Sequence, residues 1–201
     1  MPPKNKSLVP PGEVTPAYGD FTEFPSLKVL VREKSKKALE LMADAGLITL
    51  AELPNRDDFI YGTKIAFILI HSDQLKLTFK AHYFHKTPLA GIPYLRGSDV
   101  DSKDPLADWM REYCNMSSGL ISETLFQNKI QAHMTTPFST EGFDETFFSD
   151  KVWPSEHRDW WELRWRGGSF ICSTSCRISD RKRIASIDAQ LVDGNERLTY
   201  L

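Results

Sequence analysis

Within the stretch DWMREYCNMSSGLISETLF (108–126), Glu112, Asn115 and Gly119 are separated by three and then four positions, so on a helix they share one face, within about 60° of each other. Asn115 brings an amide that both donates and accepts. Glu112 brings a fixed negative charge, and Gly119 lets another backbone or a bulky group come close to the helix surface. An exposed glycine inside a helix costs about 1 kcal/mol against alanine, and asparagine roughly half that, with no local gain in return. Such a face reads as a docking surface with one polar tool on it, compensated by something outside the chain. An ordinary solvated face that has drifted to a glycine and an asparagine has the same composition, and these residues alone leave both readings open.

Other constellations carry less. His82 and His85, in KAHYFHK, fall on opposite faces of a continuing strand and cannot chelate one metal without a bend. WWELRWRGG (160–168) sets Trp160, Trp161 and Trp165 beside Arg164 and Arg166, a mixture able to stack nucleic-acid bases. In a regular strand, though, Trp161, Leu163 and Trp165 share one face and Glu162, Arg164 and Arg166 the other, the alternation of a half-buried strand. The basic run DRKR (180–183) reads as a solvated strand start. Cys114, Cys172 and Cys176 show no CxxC spacing and read as small buried hydrophobes. Gly-rich phosphate loops, GxSxG elbows and HExxH helices are absent, so nucleotide hydrolysis, acyl transfer and zinc proteolysis have no local signature.

The elements around the helix follow from periodicity. Asp104-Pro105 supplies an N-cap and a proline at the first helical position. From Trp109 to Leu125 the apolar side chains then fill one arc of roughly 180°. The opposite arc collects Asp108, Arg111, Glu112, Asn115, Ser118, Gly119, Ser122 and Glu123. An earlier helix is expected from Ser26 as N-cap to Gly46 as stop, with Leu27, Leu30, Val31, Ala38, Leu41, Met42 and Ala45 at three- and four-residue steps. FIYGTKIAFILI (59–70), the turn HSDQ, and LKLTFKAHYF predict a hairpin with Leu75, Leu77, Phe79, Ala81 and Tyr83 on one face. Residues 86–103, broken by Pro88, Gly91, Pro93 and Gly97, predict a loop or at most a single helical turn. Further on, 129–138 predicts a strand and 139–158 a loop. A second hairpin is expected to turn at Gly167-Gly168, and a last strand pair around Asp193-Gly194. Six prolines in residues 1–25 predict an extended arm.

Length and composition bound the rest. A chain of 201 residues, 41% hydrophobic and 26% charged, suits one globular domain with extensions and is poorly suited to bulk disorder. A net charge of −2 does not steer the whole protein toward nucleic acid or an anionic membrane. No apolar run approaches the roughly 20 residues that span a bilayer, nor does the N-terminus resemble a signal peptide, so a cytoplasmic location is expected.

The pattern Glu112-x-x-Asn115-x-x-x-Gly119 resembles the signature helix of the CheX and CheC phosphatases of bacterial chemotaxis. The order of elements agrees: a first helix, a hairpin, the signature helix, then strands that complete a sheet. The resemblance spans about residues 26–178, with specific residues only between Asp104 and Asn128. It implies an α/β (α+β type) domain of CheX-like fold, mainly antiparallel sheet packed against two long helices; outside the resemblance, residues 1–25 are expected as an extended arm and 179–201 as a C-terminal β extension of the same domain.

It also implies an activity, dephosphorylation of the aspartyl phosphate of a CheY-like response regulator. Asn115 would orient the attacking water and Glu112 would pair with a lysine of the regulator, making these two the catalytic pair. Asp108, Arg111, Gly119 and Ser122 would meet the partner. The regulator would supply Mg²⁺, so this chain would need no cofactor or metal of its own. CheC-type members repeat the motif in their first helix, where this chain has Glu40 followed by Ala43. One site is therefore expected, together with a homodimer through sheet edges and no nucleic-acid or membrane partner. The alternative is a non-catalytic module that binds a receiver domain through the same face, a reading favoured by the broken segment 86–103. A third is a sheet-edge assembly protein in which that face is incidental.

Overall fold

The structure is a computed structural model that describes residues 19–43, 46–53, 62–85, 103–144 and 156–189. Its strands are β1 (Gly19–Asp20), β2 (Thr49–Glu52), β3 (Lys64–His71), β4 (Leu75–Tyr83), β5 (His133–Met134), β6 (Phe138–Glu141), β7 (Glu156–Trp165) and β8 (Gly168–Ile178). The helices are α1 (Pro25–Met42), α2 (Pro105–Gln127) and a short α3 (Arg181–Ala185).

The strands form one sheet in the order β1-β7-β8-β4-β3-β5, with β2 also paired to β7 and β6 to β3. Every pairing is antiparallel except β1 with β7. The two long helices pack on each other and on one face of this sheet. The expected α+β architecture is therefore the observed one. Alternation decides which face: Leu75, Leu77, Phe79, Ala81 and Tyr83 on β4 are all buried, as are Ala66, Ile68 and Ile70 beside them on β3. On β7, Trp161, Leu163 and Trp165 are buried while Arg164 is exposed, so the aromatic stretch is a core strand. Trp160 is buried too.

A polar clamp ties α1 to this sheet. Arg32 donates two bonds of 2.6 Å to the Asp159 carboxylate of β7, and Lys28 and Arg32 both reach Glu52 of β2. Beside them Trp161 Nε1 donates to Ser35 Oγ at 3.0 Å.

Several boundaries differ from those expected. Helix α1 begins at Pro25, and its N-cap is Phe24, whose side chain makes no capping bond; proline is pre-set for the first turn, and Phe24 is drawn into the core instead. The helix ends at Met42, before Gly46, which with φ 62° takes up the left-handed turn toward β2 that glycine permits. The arm ends sooner than 25, because β1 pairs with β7 and Phe21 is buried; residues 1–18 lie outside the described residues.

Residues 129–138 are not one strand. Lys129 adopts φ 58°, and Pro137, lacking an N–H, separates β5 from β6. The loop after them is shorter than 139–158, since β6 runs to Glu141 and β7 starts at Glu156. The second hairpin turns at Arg166-Gly167, because Gly168 already pairs with Trp165. The tail is not a β extension where it is described: Asp180 accepts a bond from Arg183 N at 3.0 Å and caps a helix, a cap that outweighs the weak strand pattern. The segments 86–102 and 190–201, with their expected loop and final strand pair, lie outside the described residues.

Candidate functional site

Helix α2 starts as its sequence prescribes, with Asp104 accepting from Ala107 N at 3.1 Å and Pro105 in the first turn. Its inward face buries Trp109, Met110, Tyr113, Cys114, Ile121 and Leu125. Trp109 stacks on Tyr113 with ring centroids 5.9 Å apart. The Tyr113 hydroxyl donates to Ser35 O of α1 at 3.1 Å and lies 3.4 Å from Cys172 Sγ on β8. Burial pushes the Tyr113 hydroxyl and the Cys114 and Cys172 thiols upward, away from ionisation. These groups are therefore core and not nucleophiles.

The outward face holds the motif. Glu112 and Asn115 are exposed and Gly119 partly so. Among the described residues, neither Glu112 nor Asn115 has a hydrogen-bond or ion-pair partner, so a charge and an amide stand unspent on the surface. A Cβ built at Gly119 would meet nothing within 4 Å. Packing among the described residues therefore does not demand the glycine, and the space it leaves there opens outward. Asp108 and Arg111 flank the motif as an ion pair one turn apart.

Two serines depart from the polar arc. Ser118 is fully buried, and the hydroxyls of both Ser118 and Ser122 are enclosed with no hydrogen-bond partner among the described residues. In this arrangement Ser122 does not present its hydroxyl to a partner. Helix α2 also touches the short strands β5 and β6, neighbours that helical periodicity cannot reveal.

The far end of α2 is held by several contacts. Lys129 N bonds Phe126 O at 2.8 Å and Ile130 N bonds Leu125 O at 2.9 Å, the paired closing bonds of a Schellman motif, with Lys129 in the left-handed position. The Asn128 amide exchanges two bonds with the backbone of Asp188, donating at 3.1 Å and accepting at 2.9 Å. Arg183 donates to Asn128 O at 2.6 Å. Arg181 pairs with Glu23 and lies over the Phe24 ring. The DRKR run is thus largely a clamp between the start of α1 and the end of α2. The polar arc as read from sequence omits Phe126, which is 69% exposed on this same face; its distance of eleven positions from Asn115, close to three helical turns, is the signal that would have found it.

Among the described residues no group of three or more His, Cys, Asp or Glu is placed to hold a metal ion, and no helix is long and apolar enough to cross a membrane. His82 Nε2 lies 2.7 Å from Ser173 Oγ inside the protein, while His85 is exposed.

The sheet and the helix pair have the fold of the CheX and CheC-like chemotaxis proteins. A CheC-like protein from Shewanella oneidensis superposes with a TM-score of 0.58 over 76% of this chain and 98% of its own, at 14% identity. CheX from Borrelia burgdorferi, solved as a CheX-CheY-BeF3-Mg+2 complex, gives 0.56 over 77% of this chain and 99% of that one, also at 14% identity. CheX from Vibrio vulnificus gives 0.54 over 74% and 97%, at 13% identity. By sequence, no family model and no curated protein matches the chain. The likeness is one of fold.

Proposed function

We propose that this chain accelerates hydrolysis of the aspartyl phosphate on a CheY-like response regulator, with Asn115 orienting the attacking water. The observation that carries the reading is the pairing of an exposed Asn115, unpartnered among the described residues, with the space those residues leave open at Gly119, on a helix bonded into the core through Tyr113. A side-chain amide can hold a water through one bond and leave its oxygen free for in-line attack. As that oxygen bonds to phosphorus, the P–O bond to the aspartyl carboxylate breaks, giving the free aspartate carboxylate and dihydrogen phosphate, which keeps both of the water's protons. Catalysis here is positioning, with the regulator contributing its own Mg²⁺ and the groups that stabilise the transferring phosphoryl.

Glu112, one turn before Asn115, pairs with a cation on the regulator and sets the register of the amide. Gly119 admits the regulator's surface against the helix backbone. Asp108 and Arg111, paired with each other, frame the contact. A homodimer through the short edge strands and action in the cytoplasm complete the reading, checked by light scattering of the purified chain and by fractionation.

The test follows the decay of each phosphorylated response regulator of the source genome, with and without catalytic amounts of the protein. Asn115→Ala is expected to lose about 10²-fold in rate while still binding, and Glu112→Ala to weaken binding. An Asn115→Ala protein that changes affinity alone would move the function to a non-catalytic receiver-binding module. Unchanged decay and no binding across the set would remove both.

A further inference from the structure

The signature pair is echoed further along the same helix. Glu112-x-x-Asn115 is followed by Glu123-x-x-Phe126, each residue displaced by eleven positions, about three turns or roughly 16 Å along the axis and about 20° around it. Gly119 sits midway between Asn115 and Glu123. The outward face of α2 is therefore a single line: a carboxylate and an amide, a gap, then a second carboxylate and an aromatic ring.

The second pair is as unspent as the first. Glu123 is exposed and has no ion-pair or hydrogen-bond partner among the described residues, whereas Asp108 and Arg111 on the same helix satisfy each other. Phe126 is the one large apolar side chain that α2 exposes among the described residues, at 69%. Nor does it ride on a fraying helix end. The Schellman bonds follow it directly, and Asn128, two positions on, is locked to Asp188 and Arg183. An aromatic side chain on a held backbone has only its two side-chain torsions to lose on being covered, and aromatic residues are enriched among those that dominate binding at interfaces.

We infer that Glu123 and Phe126 form a second contact point for the same regulator, seating it across Gly119 and setting which regulator is accepted. This rests on the proposed function, because the partner is the one that Asn115 serves. The regulator suited to this face presents a cation facing Glu112, and about 16 Å away an apolar patch beside a second cation. Continuity of the line through the open glycine argues for one partner covering both pairs. The second pair lies too far from Asn115 to touch the reacting phosphorus, so its effect belongs to binding and not to chemistry.

The experiment measures kcat and KM on the regulator that wild type dephosphorylates, for Phe126→Ala and Glu123→Gln. Both side chains are exposed, and the thermal midpoint confirms folding. Expected are a KM raised about tenfold for Phe126→Ala, a smaller rise for Glu123→Gln that shrinks with added salt, and an unchanged kcat in both. Unchanged KM in both variants, with wild type still active, overturns the second contact point and leaves the phosphatase standing. A fall in kcat at constant KM overturns it too, since that is the signature of a disturbed Asn115. A wild type that engages no regulator overturns the proposed function and this inference with it.

Discussion

The Tyr113 hydroxyl donates to the backbone carbonyl of Ser35 at 3.1 Å, and Trp161 Nε1 donates to the Ser35 hydroxyl at 3.0 Å, so one serine of α1 holds both the site helix and the central sheet. Tyr113 and Asn115 are two positions apart, which on a helix places them on nearly opposite faces. The bond that seats α2 in the core therefore leaves the amide facing out. Tyr113→Phe keeps the stacked ring and removes the bond. It is expected to lower unfolding free energy by about 1 kcal/mol, read from urea unfolding, with little change in the shape of the outward face.

Gly119 separates stability from function. With nothing within 4 Å of a built Cβ, Gly119→Ala fits without a clash and gains helix propensity, about 1 kcal/mol of added stability. The same methyl group fills the space offered to the partner. The variant is expected to melt at a higher temperature and bind or turn over the regulator less well. A variant that is both more stable and fully active would show that the gap is not used.

Lys129 occupies a left-handed conformation, φ 58°, where side chains other than glycine and asparagine are strained. Lys129→Gly is expected to stabilise the protein by about 1 kcal/mol, seen as a higher denaturation midpoint at unchanged slope. Activity should not fall, because the closing bonds of α2 come from the backbone.

The clamp at α1 has a defined pH dependence. The Glu52 carboxyl is held down to about 2, against an ordinary 4.5, by its hydrogen bonds to Lys28 first and Arg32 second. A depressed carboxyl contributes fully above the ordinary range and fades as pH falls toward the folded value. The side chain is 62% exposed, so solvent screening limits the effect to less than about 1 kcal/mol. Glu52→Gln should therefore be slightly less stable than wild type at pH 7, with the difference closing as the pH approaches 2, measured by urea unfolding across that range.

Much of the architecture was legible because its periods are clean. The strict alternation from Leu75 to Tyr83 placed β4 in the sheet and named its buried face. Asp104-Pro105 marked the start of α2, and three- and four-residue spacing put Glu112, Asn115 and Gly119 together. Other boundaries were not legible: nothing local announces that Lys129 turns left-handed or that Phe24 is needed in the core, and the capping residue Asp180 was passed over where a strand was expected.

By itself the sequence determined which residues of α2 share a face, since that depends only on the helical repeat carried by consecutive side chains. The tertiary structure decided which of them remain available. Ser118 and Ser122 fall on the polar arc, yet their hydroxyls are enclosed, while Phe126, apolar by type, is left in solvent at a helix end fixed by Asn128 and Asp188. Exposure is set by what packs alongside an element, and the strands that flank α2 come from segments far from it in the chain or folded back upon it, which no local repeat can specify.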